Sequence, residues 1–96
     1  YTEFKVKYSD IDVNGHLNSM KYVDHVMDMF SLDHYRDYQL RRLEIAYVAE
    51  GHFNDTVRIY HLDEGNQTYA FKLCRVEEDG TETELSRIQL FFNQKS

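Results

Sequence analysis

The stretch "MKYVDHVMDMF" at residues 20–30 decides the fold, because its apolar residues recur every three or four positions. That spacing places them on one face of a helix, with charged residues on the opposite side. The apolar face consists of Met20, Val23, Val26, Met27 and Phe30, and the polar side of Lys21, Asp24, His25 and Asp28. The pattern predicts one amphipathic helix of about 14 residues.

Strands are predicted on both sides of this helix. Residues 3–8, "EFKVKY", alternate polar and apolar side chains, which is the pattern of a half-buried strand, and a loop follows at 9–17. From residue 42 onward the same alternation predicts four more strands. Their core-facing residues are predicted to be Leu43, Ile45, Tyr47 and Ala49, then Val57 and Ile59, then Tyr69, Phe71 and Leu73, and finally Ile88, Leu90 and Phe92.

Two glycine-centred segments, "DEGNQ" at 63–67 and "EEDGT" at 77–81, predict hairpin turns, so the last two strands should be long antiparallel neighbours. An antiparallel sheet of five strands can bury one face against the helix, which makes this an α+β fold. A curled sheet wrapped around one long central helix is the hot-dog arrangement. We therefore expect a single hot-dog domain over residues 1–96.

Composition narrows the class of protein. The 96 residues are 42% hydrophobic and 29% charged, with no apolar run long enough to cross a membrane. The formal net charge of -6 disfavours nucleic acid and anionic membranes as partners. Positive charge is grouped at Arg36, Arg41 and Arg42, either as a solvated helix end and strand start or as a docking surface for an acidic partner.

The lone cysteine, Cys74, cannot form an internal disulfide and is predicted to be a packed strand thiol. A single thiol fits a reducing compartment, so a cytoplasmic location is expected. A chain this short buries a limited core and usually needs help from a partner. We therefore expect either a homodimer or a neighbouring domain.

The loop in "YSDIDVNGHLNSMKY", residues 8–22, has three interpretations. Residues 10–15 match the opening of a calcium-binding EF-hand loop, D-x-D-x-N-G. The match fails at the twelfth position, where Lys21 replaces the bidentate glutamate, and residues 3–8 read as a strand where an EF-hand needs a helix. No metal site is predicted.

The two remaining interpretations stay open on the residues alone. Asp, Asn and Gly are common in strand-to-helix loops because they hydrogen-bond their own backbone. The same loop also brings backbone N–H groups to a helix N-terminus, where a developing oxyanion is stabilised. Asn14 adds a neutral donor, His16 titrates near neutral pH, and Asp12 can orient the histidine or activate water. These are the groups needed to hydrolyse an activated acyl compound.

Two segments resemble one known family. "SDIDVNGHLNSMKYVDHV" is similar to the D-x-D-x-N-x-H-x-N-x-x-x-Y signature of the acyl-acyl carrier protein (acyl-ACP) thioesterases, which are hot-dog enzymes. "LRRLEIAYVAEGHFNDTV" resembles a second motif of that family, an L-x-x-L-x-I/L-x-Y strand followed by a glutamate and later by D-[ST]-V. Together they span most of residues 8–57. Members have two fused hot-dog repeats with the catalytic set in the second, so the resemblance implies a C-terminal repeat.

The resemblance also implies site residues. Asp12, Asn14 and His16 fall on the D-x-N-x-H positions, and Glu50 falls on the glutamate of the second motif. Gly51 stands where many members have cysteine, which favours a carboxylate and water mechanism over a cysteine nucleophile. Such a mechanism needs no cofactor.

The implied reaction is hydrolysis of a fatty acyl-ACP thioester, in fatty acid biosynthesis, to the free acid and the carrier protein. Gly15, Leu17 and Asn18 are predicted to bind the substrate, with backbone N–H groups polarising the thioester carbonyl. Because acyl carrier protein is acidic, it is expected to dock on a basic patch. The candidates for that patch are Lys21, Arg36, Arg41 and Arg42.

Two alternatives remain at this stage. An acyl-CoA thioesterase of the same fold would use the same loop, and relative turnover of the two carriers separates the two enzymes. A non-catalytic acyl-binding or dimerisation module is the alternative from a different class, motivated by Gly51 and by the shortness of the chain. Acyl chain length and the choice of carboxylate that activates water do not follow from the sequence.

Overall fold

The structure, a computed structural model, describes residues 1–7 and 19–95. Within these ranges the chain forms five strands and two helices. In chain order they are β1 (Thr2–Lys5), α1 (Ser19–Met27), α2 (Leu32–Asp37), β2 (Tyr38–Tyr47), β3 (Thr56–Asp63), β4 (Thr68–Val76) and β5 (Glu82–Gln94). Neither helix is long and apolar enough to cross a membrane.

The strands form one antiparallel sheet in the order β1-β3-β4-β5-β2. The predicted turns at 63–67 and 77–81 are confirmed, and they join β3 to β4 and β4 to β5. Gly65 and Gly80 have φ angles of 82° and 88°, which side chains with a Cβ rarely adopt. The α+β prediction is therefore confirmed, with the sheet packed on α1 in the hot-dog manner.

The predicted helix of about 14 residues is wrong in length, because α1 has only nine residues. The chain turns after Met27, and Ser31 begins the second helix, α2, by accepting a hydrogen bond of 3.1 Å from the His34 backbone N–H. Phe30 lies between the helices and packs on the rings of Tyr69, Phe71 and Phe92. A strong capping residue and a ring anchored in the core thus divide the predicted helix.

The predicted apolar face of the helix is also corrected at its start. Met20 is 61% exposed, whereas Tyr22 is 2% exposed and belongs to the core. Tyr22 and Val26 are four residues apart and form the central line of the buried face. Val23 and Met27 flank that line and are half-buried.

The fully buried core lies between α1 and one face of the sheet. Its members are Val6, Tyr22, Val26, Val57, Ile59, Phe71, Leu73, Leu85, Ile88, Leu90 and Phe92. The predicted core positions in β3, β4 and β5 are confirmed, except that Tyr69 is half-buried and packs against this core. Leu85 breaks the two-residue alternation because it is the extra residue of a bulge, where Leu73 pairs with Ser86 and Cys74 with Glu84.

Strand β2 begins at Tyr38, four residues earlier than predicted, and forms one edge of the sheet within the described residues. Its Leu43 and Ile45 pair with Leu90 and Ile88 and are half-buried, as predicted. Tyr47 lies on the same face of β2 and was also predicted to face the core, but it is 56% exposed, so that prediction is wrong. Strand β2 therefore contributes to the core along its middle and reaches solvent at its C-terminal end.

Candidate active site

The candidates from the strand-to-helix loop lie outside the residues that the structure describes. They are Asp12, Asn14, Gly15, His16, Leu17 and Asn18. Their roles, and the calcium alternative for the same loop, stay predictions. The structure describes the helix into which this loop leads, which begins at Ser19.

Glu50 lies in the loop between β2 and β3, and it is exposed. This loop is fastened to β5 just before the glutamate. The backbone N–H groups of Val48 and Ala49 both donate to the carbonyl of Leu85, at 2.9 and 3.2 Å. Leu85 is the bulge residue of β5, so the bulge directs its carbonyl toward the loop.

The same loop is fastened to the chain beyond β1 just after the glutamate. The Asn54 N–H donates to the Val6 carbonyl at 2.9 Å, and the Val6 N–H donates to the Asp55 carbonyl at 2.9 Å. The carboxylate of Asp55 accepts the His52 N–H at 2.8 Å and so closes a tight turn. Asn54 sits in that turn with a φ angle of 70°. The aspartate of the D-[ST]-V motif therefore shapes the loop that presents Glu50.

The peptide group that follows Glu50 lies between Arg75 and Tyr22. Its carbonyl, on Glu50, accepts a hydrogen bond of 2.9 Å from Nη1 of Arg75. Its N–H, on Gly51, lies close enough to the phenol oxygen of Tyr22 to oppose the rise in the pKa of Tyr22. Since Tyr22 lies three residues after the start of α1, the Glu50 loop touches the first turn of that helix.

Tyr22 is neutral in this environment. Burial raises the pKa of Tyr22 to about 12, and the smaller opposing effect comes from the Gly51 N–H, which stabilises the phenolate. The ring centroids of Tyr22 and Tyr47 are 6.4 Å apart. The exposed Tyr47 therefore lies beside the contact between the Glu50 loop and α1.

Arg75 has three partners around the same point. Besides the Glu50 carbonyl, its Nε donates to Oε1 of Glu77 at 2.8 Å, and its Nη1 lies 3.9 Å from Oδ2 of Asp55. The hydroxyl of Thr83 donates to the same Glu77 oxygen at 2.8 Å. The hydrogen bond from Arg75, followed by that from Thr83, lowers the pKa of Glu77, so the carboxylate stays ionised and retains the arginine.

The three arginines predicted for carrier docking lie around the start of β2. Arg36 is on α2 and pairs with Asp33 at 2.7 Å, and Arg42 pairs with Glu44 on its own strand. Arg41 is the extra residue of a bulge in β2, and its guanidinium carbon lies 5.5 Å from the ring centre of Phe91. All three are exposed.

Lys21, the fourth docking candidate, lies toward the opposite end of the sheet. It is next to Tyr22, and the ring of Tyr22 lies beside that of Tyr47 at the C-terminal end of β2. Arg42 precedes Tyr47 by five residues, which correspond to about 17 Å along the strand. The nitrogen of Lys21 is 3.8 Å from a carboxylate oxygen of Asp24. The structure therefore groups the arginines near one another and leaves Lys21 beside the Glu50 loop.

Cys74 is buried in β4, which confirms the prediction of a packed strand thiol. Burial, as the main cause, raises the pKa of the Cys74 thiol, so it stays protonated at neutral pH. Within residues 1–7 and 19–95, no three acidic, histidine or cysteine side chains are grouped so as to hold a metal ion.

Two grooves in the described part of the chain lie away from Glu50. One, of about 490 Å³, crosses strands β3, β4, β5 and β2 and is lined by both apolar and charged residues, which include Ile45, Leu62 and Lys72. The other, of about 430 Å³, lies between β1, β3 and the end of α1, beside His25 and His61. Glu50 does not line either groove, so neither is part of the candidate site.

Sequence reasoning missed two residues of this site, Tyr22 and Arg75. Tyr22 had a signal, because it is the final tyrosine of the first family signature. Arg75 had no such signal in the sequence, since a single arginine in a strand is ordinarily predicted to point into solvent. Its role depends on a register that places Arg75 opposite Val57, next to the start of β3.

Comparison with known proteins identifies a family and several solved structures that are similar to this chain. The family model for the acyl-ACP thioesterase C-terminal domain matches residues 1–93. A search of curated protein sequences gave no match.

Several solved structures superpose on the chain. An acyl-ACP thioesterase from Bacteroides thetaiotaomicron has a TM-score of 0.86 and 33% identity, over 96% of this chain and 36% of that one. The 12:0-ACP thioesterase of Umbellularia californica has a TM-score of 0.81 and 21% identity, over 96% and 34%. A 1,4-dihydroxy-2-naphthoyl-CoA thioesterase from Synechocystis has a TM-score of 0.68 and 15% identity, over 99% and 82%. The chain thus spans about a third of the length of the two acyl-ACP thioesterases.

Proposed function

Because this chain belongs to the acyl-ACP thioesterase C-terminal domain family, we propose that it supplies the catalytic residues that hydrolyse a fatty acyl-ACP thioester. The observation that supports this most strongly is the contact between the Glu50 loop and the first turn of α1. The Gly51 backbone and Arg75 both lie close enough to the Tyr22 phenol to act on its pKa, and His16 precedes Ser19, the first helical residue, by three positions. Three residues of chain span at most about 11 Å, and we propose that His16 reaches the same cleft.

The reaction proceeds by addition of water to the thioester carbonyl. The carbonyl oxygen accepts hydrogen bonds from backbone N–H groups between Gly15 and Asn18, assisted by the Asn14 carboxamide. Glu50 or Asp12 takes a proton from water, whose oxygen attacks the carbonyl carbon. The carbon–sulfur bond then breaks, and His16 delivers a proton to the departing thiolate of the carrier arm.

The helix supports this chemistry electrostatically. The first turn of a helix presents unpaired N–H groups and a partial positive charge, which favour negative charge on a nearby oxygen. The first turn of α1 contains no acidic residue that would oppose this field. A tetrahedral intermediate with a negative oxygen is therefore favoured at the entrance to α1.

The expected partners follow from the same proposal. Acyl carrier protein docks on the surface formed by Arg36, Arg41 and Arg42, with Lys21 contacting it nearer the thioester. A second hot-dog repeat, or a second copy of the chain, pairs along the edge strand β2, which has ten residues and an unpaired side within the described structure. Sedimentation analysis tests this pairing, and a strictly monomeric single-repeat species would contradict it. The expected setting is fatty acid biosynthesis in the cytoplasm.

Steady-state hydrolysis of acyl-ACP substrates of several chain lengths by the intact protein tests the proposal. The variants Glu50→Gln and His16→Ala are expected to lose at least about a hundredfold in kcat. Glu64→Gln, an exposed glutamate in the 63–67 turn, is the matched control and should retain activity. Acyl-CoA substrates run in parallel separate the two carriers. An intact protein that turns over neither carrier, or a Glu50→Gln variant as active as the control, would contradict the proposal.

A further inference from the structure

We propose that Arg75 is a positioning residue that sets where Glu50 stands, because it ties the loop between β2 and β3 to strand β4. The inference rests on the proposed function, in which the Glu50 carboxylate meets the reacting water. Its direct support is that Nη1 of Arg75 donates to the Glu50 carbonyl at 2.9 Å and lies 3.9 Å from Oδ2 of Asp55. One guanidinium therefore holds both ends of the segment 50–55.

The loop between β2 and β3 crosses the end of the sheet, because β5 and β4 lie between these two strands. Neighbouring strands are about 4.8 Å apart, so the loop covers about 14 Å in three such steps. It is fastened to β5 by the Leu85 carbonyl and to the chain beyond β1 by Val6. Between these two points it passes β4, where Arg75 reaches the Glu50 carbonyl. Arg75 is therefore the tether in the middle of the crossing.

A tether is needed at this point because Gly51 follows the glutamate. Gly51 has no Cβ, so its backbone has more conformational freedom to lose than that of any other residue. Before Gly51, Arg75 holds the Glu50 carbonyl through a charge-assisted hydrogen bond, which is about twice as strong as one between neutral groups. After Gly51, the Asp55 carboxylate that faces Arg75 accepts the His52 N–H at 2.8 Å. The chain is thus fixed on both sides of the glycine.

Arg75 can serve as a fixed support because it is itself held in place. Its Nε donates to Oε1 of Glu77 at 2.8 Å, and the Thr83 hydroxyl donates to the same oxygen at 2.8 Å. The Arg75 side chain is only 23% exposed. A planar guanidinium with several partners keeps one orientation, whereas a lysine ammonium would satisfy fewer of them. Active-site groups must be held to within about half an ångström, and supports of this kind supply that precision.

Steady-state kinetics of Arg75→Met in the intact protein test the tether. The variant is expected to lower kcat on acyl-ACP about ten- to a hundredfold, with KM changed less than about threefold, because substrate binding does not depend on where Glu50 stands. Arg58→Met is the matched control, since Arg58 is 26% exposed and also meets two carboxylates, Glu3 and Glu82. Both kinetic constants of the control should stay within about threefold of the unchanged protein. Arg75→Lys should recover part of the activity that Arg75→Met loses.

Two further variants separate positioning from general stability. In a Glu50→Gln background, Arg75→Met should cause no further loss of kcat, because the carboxylate that Arg75 positions is gone. Thr83→Val removes the hydroxyl that fixes Glu77 but leaves the guanidinium in place, so kcat should fall by only about two- to fivefold. The proposal is overturned if Arg75→Met loses as much kcat in the Glu50→Gln background, or if Arg75→Met and Arg58→Met both lose kcat in proportion to their loss of Tm. Should Arg75→Met fail to fold, an unchanged kcat in Thr83→Val overturns it.

Amide hydrogen exchange tests the tether apart from catalysis. Arg75→Met should speed exchange of the His52 amide, which is bonded to Asp55, at least about tenfold, whereas Arg58→Met should leave it unchanged. The Val48 amide, which is bonded to β5, serves as the internal control and should keep its rate in both variants. Faster His52 exchange in an intact protein without thioesterase activity would refute the proposed function and retain the tether as a structural device. An unchanged His52 amide in Arg75→Met would refute the tether, even in an active enzyme.

Discussion

Tyr22 combines two environments that act oppositely on its hydroxyl. The core around its ring disfavours the charged phenolate, while the Gly51 N–H favours it. Burial has the larger effect and raises the pKa of Tyr22 to about 12. At physiological pH the residue therefore serves as a neutral hydrogen-bonding group rather than as a base.

The raised pKa predicts a pH dependence of stability. Because the ordinary tyrosine pKa is 10.0, protonation of Tyr22 stabilises the fold fully below pH 10, and this contribution is lost as the pH rises through about 12. The shift corresponds to at most about 3 kcal/mol. Urea unfolding at pH 9 and at pH 12 should show a smaller fall in the free energy of unfolding for Tyr22→Phe than for the unchanged protein. An equal fall in the free energy of unfolding in both proteins would contradict the assignment of the raised pKa to Tyr22.

Helix α1 shows where the sequence pattern was sufficient and where it was not. Its existence, and the burial of Val26, follow directly from apolar spacing. The position at which it ends does not follow from that spacing. Ser31 caps a second helix, and the Phe30 ring packs on Phe92, so the chain leaves α1 although the apolar spacing continues. Burial of Tyr22 in place of Met20 depends on how the helix is rotated against the sheet, and periodicity alone does not resolve neighbouring positions on a helix.

A pair of substitutions in α1 tests this packing. Val26→Ala removes two methyl groups from a side chain with no exposed surface, and should lower the free energy of unfolding by about 2 to 3 kcal/mol. Met20→Ala, on the same helix but 61% exposed, should change it by less than about 0.5 kcal/mol. Denaturant unfolding of the two variants provides the measurement. A larger loss of stability for Met20→Ala than for Val26→Ala would contradict the exposure of Met20 and support its predicted place on the buried face.

The loop between β2 and β3 illustrates a different limit of sequence reasoning. The sequence motif around Glu50 predicted that this residue belongs to the site, but it did not predict which groups hydrogen-bond the loop that carries it. Those groups are the Leu85 carbonyl, which a bulge in β5 directs toward the loop, and Arg75, which register places beside it. Both depend on strand pairing over separations of 25 residues or more. Such pairings follow from tertiary structure and leave no local pattern.

At the scale of the whole molecule, charge is distributed unevenly. The chain has a net charge of -6, yet three exposed arginines lie around the start of β2. Two of them are partly neutralised by neighbouring carboxylates, Arg36 by Asp33 and Arg42 by Glu44. Arg41, on the β2 bulge, lies over the Phe91 ring. An acidic carrier protein approaching an acidic enzyme would be oriented by such a local surface.

The docking surface predicts a difference between substrates. The double variant Arg41→Glu and Arg42→Glu should raise KM for acyl-ACP about tenfold or more and leave hydrolysis of a small soluble thioester unchanged. Lys72→Glu with Arg87→Glu makes the same change in net charge at two paired positions of β4 and β5, and should affect neither substrate. Equal losses on both substrates, or equal losses in both double variants, would contradict docking at the start of β2.

The central claim is that His16 and Glu50 face one cleft at the entrance to α1. Cross-linking of a His16→Cys and Glu50→Cys variant with a bismaleimide of about 8 Å span tests it most directly, because the native Cys74 is buried. Mass spectrometry should show one intramolecular cross-link joining the two segments. A His16→Cys and Glu64→Cys control, with its second thiol in the turn at the far end of β4, should show none. A cross-link absent from the first variant, or equally abundant in both, would contradict the shared cleft and with it the proposed hydrolase.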